Sequence, residues 1–228
     1  MKKLKNIKIV SVDLFRTLID IDPTPKTIWQ KFLKDNFPDE ISRKYWHRAD
    51  EILWRRWDAA GTDSNHFKSV RTILEDTVAE LFGEIQLDYD PKLSANALMG
   101  DHTLQKVFED ARPFLEKTGK KYTICLSTDA DIEMVENVNK LYPFDSVFIS
   151  EELGVYKLNP KFFEHVIHRY NVPPENILHV GDSKSDIMAP KQLGILTCWL
   201  NRHHHKWDHL IMPDFEVESL LDVLEILD

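Results

Sequence analysis

From about Thr103 to the carboxyl terminus, short apolar runs rich in β-branched residues alternate with stretches of helical periodicity. Tyr122–Leu126, Ser146–Ile149, Ile177–Val180 and Ile195–Leu200 read as strands. Pro113–Lys117 (ending at Gly119), Asp131–Lys140, Pro160–Tyr170, Ser185–Leu193 (stopped by Gly194) and Glu218–Leu227 read as helices. Strands and helices that alternate in this way build βαβ units around a parallel sheet. Right-handed crossovers then put helices on both faces. Ile7–Val12 near the amino terminus is one more strand of the same kind. The expected fold class is therefore α/β, a Rossmann-like, doubly wound parallel sheet.

Between the first strand and this alternating region lies a stretch with no convincing strand. Pro23 and Pro25 mark a loop, and Thr24 can cap the helix after it. Ile28, Trp29, Phe32 and Leu33 recur at helical spacing, as do Ile41, Tyr45, Ala49, Ile52, Leu53 and Trp57. Phe67, Val70, Ile73, Leu74, Val78 and Leu81 make another helix, with Asp63 or Ser64 as cap and Gly83 as stop. A further short helix starts at Pro91. Residues 22–98 are thus expected to form an all-helical insertion into a discontinuous core of 1–21 and 99–228. Within the insertion, Arg43, Lys44, Arg48, Arg55 and Arg56 stand beside Trp46, Trp54 and Trp57. Such a face could hold an anionic or aromatic ligand; the favoured expectation is that the tryptophans are helix core and the arginines a solvated face.

The 228 residues suffice for one large domain, or one domain with a sizeable insertion. A formal net charge of -9 argues against a nucleic-acid partner, which would need a basic footprint. The first residues, MKKLKNIKIV, lack the apolar run of a signal peptide, and no stretch is long enough to span a bilayer. With two cysteines, Cys125 and Cys198, both in apolar runs and no CxxC pair, the expectation is buried free thiols in a cytoplasmic protein without a membrane partner. The run His203, His204, His205 is internal and reads as a surface loop.

Three strand ends carry polar residues: Asp13; Ser127 with Thr128; and Asp182. In a parallel sheet the carboxyl ends of the strands open onto one crevice, where such folds place their ligands. Asp182 belongs to Gly181–Asp186, GDSKSD, in which a second carboxylate follows four residues on. Oxygen ligands from Asp13 and this turn suit a hard cation such as Mg²⁺. Taken alone, GDSKSD is as well explained as a helix N-cap, with Asp182 or Ser183 capping. Lys157 lies in a loop bounded by Gly154 and Pro160. A lone loop lysine is usually a surface charge; beside a phosphate and a carboxylate it would neutralise them.

Together these stretches resemble the haloacid dehalogenase superfamily of hydrolases. Its first motif is matched by Asp13, Phe15 and Thr17, its second by Ser127, its third by Lys157, and its fourth by Asp182 and Asp186. The order and spacing agree over the whole chain, and the helical insertion falls where the family carries a mobile cap. The resemblance implies that Asp13 is a nucleophile forming a covalent aspartyl intermediate. It further implies that Ser127 contacts the transferring group, that Thr17 and Thr128 bind the substrate, and that Lys157 pairs with Asp13 and the phosphoryl oxygens. Mg²⁺ would be held by Asp13, Asp182 and the backbone carbonyl of Phe15, with Asp186 as a ligand or a support to one. The implied partner is a small anionic substrate; a homo-oligomer is compatible.

One position departs from the pattern. Phosphatases of the family carry a second Asp where this chain has Phe15; that Asp protonates the leaving alkoxide and then activates water. Arg16 also replaces a frequent Gly. Members that cleave carbon–halogen or carbon–phosphorus bonds lack the second Asp too, and halide leaves without a proton. Yet dehalogenation needs no metal turn, and this chain keeps one. Phosphonate cleavage would need a cap lysine, for which Lys31, Lys34, Lys44 and Lys68 are available. The expectation is Mg²⁺-dependent phosphoryl hydrolysis first, dehalogenation or phosphonate cleavage next, and a non-catalytic phospho-ligand binder as the alternative of another class.

Overall fold

The computed structural model describes residues 4–21, 39–63, 66–103 and 106–227. The helix expected around Ile28 to Leu33, its loop and cap at Pro23, Thr24 and Pro25, and also Lys31, Lys34 and Ser64, lie outside the described residues.

Six strands form one sheet: β1 (Ile9–Val12), β4 (Thr123–Thr128), β5 (Ser146–Ile149), β6 (Ile177–Gly181), β7 (Leu196–Leu200) and β8 (Phe215–Val217). Their order is β5-β4-β1-β6-β7-β8, and every pair is parallel. A two-residue antiparallel ladder joins β2 (Ile19–Asp20) to β3 (Lys106–Val107). Helices α1 (Asp39–Thr62), α2 (Val70–Glu84) and α3 (Pro91–Thr103) stand between β2 and β3 in the chain. The remaining helices are α4 (Ala111–Thr118), α5 (Ile132–Val135), α6 (Ser150–Leu153), α7 (Pro160–Tyr170), α8 (Ser185–Gln192) and α9 (Leu220–Ile226).

Side chains alternate across each strand, and both faces of the sheet are buried. Val10, Val12, Ile124, Leu126, Leu178 and Val180 share one core with Phe114 and Leu115 of α4 and Leu220 and Val223 of α9. Ile9, Cys125 and Ile177 face the other way, onto Phe162, Phe163 and Val166 of α7 and Ala189 of α8. The helical insertion adds a small core of its own from Ile52, Val78, Leu81 and Phe82. Both cysteines are free and buried. Among the described residues no helix is long and apolar enough to cross a membrane.

Several elements differ from the reading of the sequence. The strand begun at Thr123 runs on through Ser127 and Thr128 instead of stopping before them. The cap of α2 is Ser69, whose side chain accepts from Thr72 N, and not Asp63. Gly83 stays inside the last turn, and the helix ends one residue later. The helix expected over Asp131–Lys140 breaks into α5 and a 3₁₀ turn at Val138–Lys140, because Asn137 leaves helical geometry (φ -101°, ψ 6°). Strand β8 follows Pro213 and has only three residues, too few for a periodic signal.

The arginines of α1 are largely solvent-exposed, as expected, but they are also paired. Arg48 pairs with Glu84, Arg55 with Glu80, and Arg56 with Glu80 and Asp76, so they tie α1 to α2. Trp57 packs on Tyr156 with ring centroids 5.3 Å apart. Trp54 stays 41% exposed, and its ring centroid lies 6.0 Å from the Arg16 guanidinium. The three histidines form an exposed stretch of the loop after β7.

Candidate active site

The strand order puts β4, β1 and β6 side by side, so their carboxyl ends bring Ser127, Asp13 and Asp182 to one crevice. Asp13 follows β1 directly, and its amide donates to Val180 O at 2.9 Å, which continues the ladder to β6. The chain then folds back sharply. Leu18 N and Ile19 N both donate to Leu14 O, and Arg16 N donates to Ile19 O. Arg16 closes this turn with φ 62°, in the left-handed region where glycine is at ease and arginine is strained.

Lys157 reaches the crevice from the loop after α6. Gly154 ends that helix at φ 66°, which turns the chain toward the sheet. Lys157 is only 2% exposed. Its Nζ donates to Asp13 Oδ1 at 2.5 Å and to Asp186 Oδ1 at 2.6 Å. Asp186 is fully buried at the start of α8, its carboxyl packed against Gly181. A Cβ at position 181 would fall 2.2 Å from Asp186 Cγ, so only glycine fits there. Asp186 Oδ1 also meets His179 Nε2 at 2.9 Å, while Oδ2 accepts from Ser183 N and Ser183 Oγ. Four contacts match the roughly four lone-pair sites of a carboxylate. Asp182 is the more open acid of the turn, and its backbone carbonyl accepts from Trp199 Nε1 at 2.9 Å.

Charge is distributed unevenly. Burial raises the Asp13 carboxyl, the charge of Lys157 opposes this, and the nearby Asp186 raises it further. Burial, then Asp13 and Asp186, push Asp182 well above the usual carboxylate range. Burial would raise Asp186 too, but Lys157 and His179 outweigh it and hold that carboxyl well below the range. Lys157 is shifted upward: its burial acts against its charge, and Asp13, Asp186 and Asp129 more than compensate.

Asp13, Asp182 and Asp186 offer oxygens within 4.8 Å of one another. One lysine cannot neutralise three such carboxylates, and an all-oxygen donor set suits a hard divalent cation. The residues present therefore fit Mg²⁺. Thr17 and Thr128 are buried; the Thr17 hydroxyl acts on the Asp13 carboxyl and lowers it, while the Thr128 hydroxyl has no hydrogen-bond partner among the described residues. By strand alternation Thr128 points to the face opposite Ser127. Phe15 is partly buried against the apolar core and makes an isolated bridge to Ile19.

A model of the haloacid dehalogenase-like hydrolases matches residues 7–194. The chain belongs to this family. Over 232 residues it is 37% identical to the pyrimidine 5'-nucleotidase PynA of Streptococcus pneumoniae, covering 97% of this chain and 95% of that one. It is 26% identical to an (S)-2-haloacid dehalogenase of Pseudomonas fluorescens, over 96% of each chain. The magnesium-bound HAD-hydrolase YfnB of Bacillus subtilis shares the fold with a TM-score of 0.79 at 18% identity, covering 97% of this chain and 99% of that one.

Four further polar residues of this haloacid dehalogenase-like hydrolase escape a reading of its sequence. Ser11 and His179 interrupt apolar strands, which is the available signal. Asp131 accepts from Val70 N and Arg71 N, so a core loop caps the first turn of α2. Asp129, directly after Ser127 and Thr128, accepts from Lys157 N at 2.8 Å. Burial raises the Asp129 carboxyl from 3.8 to about 7; Lys157 opposes the rise, and Asp186 and Asp13 add to it.

A raised carboxyl contributes stability below its unfolded value and loses it as pH climbs through the folded one. Asn at position 129 keeps the acceptor for Lys157 N but cannot ionise. Asp129→Asn is therefore expected to stabilise the metal-free protein increasingly from about pH 4 to 7, reaching about 2 kcal/mol once solvent screening is allowed for. Thermal unfolding of both proteins from pH 5 to 8 checks this; a difference independent of pH contradicts it.

Proposed function

We propose that this hydrolase carries out Mg²⁺-dependent hydrolysis of a small phosphorylated substrate through a covalent intermediate on Asp13. The observation that carries this reading is the buried triad Asp13–Lys157–Asp186 with Asp182 at its open side. Asp13 and Asp182 would hold the metal together with the carbonyl of Phe15. Asp186, whose lone pairs are already taken by Lys157, His179 and Ser183, would support them from behind. When bound, the metal neutralises charge on the transferring group.

The chain's own residues do the rest. Asp13 is fixed by Lys157 with its carboxylate facing the crevice and attacks phosphorus, expelling the leaving oxygen. Ser127 hydrogen-bonds the transferring group, and Lys157 balances the charge of Asp13 and of the phosphoryl oxygens. Water then cleaves the aspartyl-phosphate and releases Asp13. The insertion, of which α1 to α3 are described, would act as a cap over the crevice, with Trp54 beside Arg16.

Phe15 shapes the substrate range. A positioned acid–base group is worth about 10²–10⁴ in rate, and a phenyl ring supplies no proton. Aryl and acyl phosphates, whose leaving groups are stable unprotonated, are expected to exceed alkyl phosphates by about that factor. Nucleoside 5'-monophosphates, the class suggested by the name of PynA, are alkyl esters and should be slow. Phe15→Asp should raise their turnover most. Phe15 also favours a second reading, dehalogenation of a 2-haloacid, since halide needs no acid. One screen of aryl, acyl and alkyl phosphates and 2-haloacids, with and without Mg²⁺, separates the two. Fast hydrolysis of simple alkyl phosphates would mean another side chain supplies the proton. Metal-independent preference for 2-haloacids would overturn the phosphatase reading.

A further inference from the structure

Ser11 and His179 belong to no motif that led to the site, yet both are fully buried. Ser11 lies two residues before Asp13 on β1, and its register partner on β6 is His179. Ser11 Oγ is 2.8 Å from His179 Nδ1 and 2.8 Å from Ser127 Oγ on β4. The other ring nitrogen, His179 Nε2, is 2.9 Å from Asp186 Oδ1. Asp186 Oδ1 in turn takes Lys157 Nζ, which holds Asp13. A hydrogen-bonded chain thus crosses three adjacent strands and ends on the nucleophile. It runs along the face packed by Phe162, Phe163 and Val166, where apolar residues would fit more cheaply than a hydroxyl and an imidazole.

We propose that Ser11 and His179 are positioning residues, which together hold Ser127 on one side of Asp13 at a fixed distance from Asp186 and Lys157 on the other. The inference rests on the reading of Ser127 as the group that touches the transferring substrate. Ser11 is the one side chain among the described residues that hydrogen-bonds Ser127 Oγ. A serine has three staggered rotamers, and the Ser11 hydrogen bond selects among them. His179 fixes Ser11 in the same way and spends its second nitrogen on Asp186. Misplacing a contact group by an ångström can cost about a hundredfold in rate.

A double-mutant cycle separates this role from ordinary core packing. Ser11→Ala is expected to lower kcat by about ten- to hundredfold with KM little changed, as for a contact made in the transition state. In a Ser127→Ala background the same substitution should change kcat less than about twofold. His179→Gln, which also loosens Asp186, should lower kcat in both backgrounds but by a smaller factor where Ser127 is already gone. The cycle is run on p-nitrophenyl phosphate with Mg²⁺ and on 2-chloropropionate without it. Turnover of the haloacid alone would remove the phosphatase reading and leave the cycle intact, since Ser127 faces the transferring group in either reaction. Equal factors in the two backgrounds, for either substitution, overturn the positioning role. So does a Ser11→Ala protein with kcat within about twofold of the parent. If Ser11→Ala does not fold, Ser11→Val in the same cycle, matched to β1 by its branched side chain, supplies the same comparison.

Discussion

Replacing Asp13 by Asn is expected to lower turnover by about 10⁴-fold or more while the protein stays folded. The size comes from the role: an amide cannot form the covalent intermediate, and among the described residues no other carboxylate stands at the end of β1. Asp186 is held by Lys157, His179 and Ser183, and Asp182 lies on the neighbouring strand end. The fold should survive because Lys157 keeps its second partner, Asp186, at 2.6 Å. The substitution even relieves one carboxyl that burial had raised. Steady-state rates and thermal unfolding of the two proteins check both halves. A variant that keeps most of its activity on a verified substrate would exclude Asp13 as nucleophile.

Replacing Lys157 by Met should have the largest effect on stability. Met fills much of the same volume but leaves Asp13 and Asp186 buried without their cation. Breaking a buried ion pair from one side costs about 3–5 kcal/mol. For a chain of this size that lowers Tm by about 10 °C. The sign of the pH dependence is fixed by the groups left behind. Without Lys157 the Asp13 carboxyl is raised further by burial and by Asp186, which keeps His179 and Ser183, so protonation of Asp13 favours the folded state. The deficit should therefore be greatest at pH 8 and shrink toward pH 5. Thermal unfolding of the metal-free proteins at both values tests this; a loss that grows at low pH would show that Lys157 is not the counter-charge of this pair.

Much of this architecture is legible in the sequence because the signals are local and repeated. Ile177–Val180 and Tyr122–Leu126 are apolar runs bounded by turn residues, and both are central strands. Asp13, Ser127, Lys157 and Asp186 are legible as chemistry only through their order in the chain. The structure adds that Asp13, Lys157 and Asp186 touch directly. The features that escape are of a different kind. Strand β8 exists because β7 offers it an edge, not because Phe215–Val217 has a period. The arginines of α1 face solvent as read, but their pairing with Asp76, Glu80 and Glu84 of α2 is not legible in the sequence. Ser11 and His179 meet only through strand register, and residues 168 apart in sequence carry no sign of that in their spacing. The strain at Arg16 is foreshadowed by the Gly it replaces, but its left-handed φ is a property of the folded turn.

The most direct measurement is to trap the intermediate. The wild-type protein is mixed with Mg²⁺ and an acyl or aryl phosphate, quenched in acid, digested, and its peptides weighed by mass spectrometry. With Phe15 in place of an acid–base residue, activation of water should be slow and the aspartyl-phosphate should accumulate. A phosphoryl group on the peptide containing Asp13, absent from Asp13→Asn, is the result predicted. A phosphoryl group on any other residue, or substrate turnover with no label on Asp13 at any quench time, would contradict it.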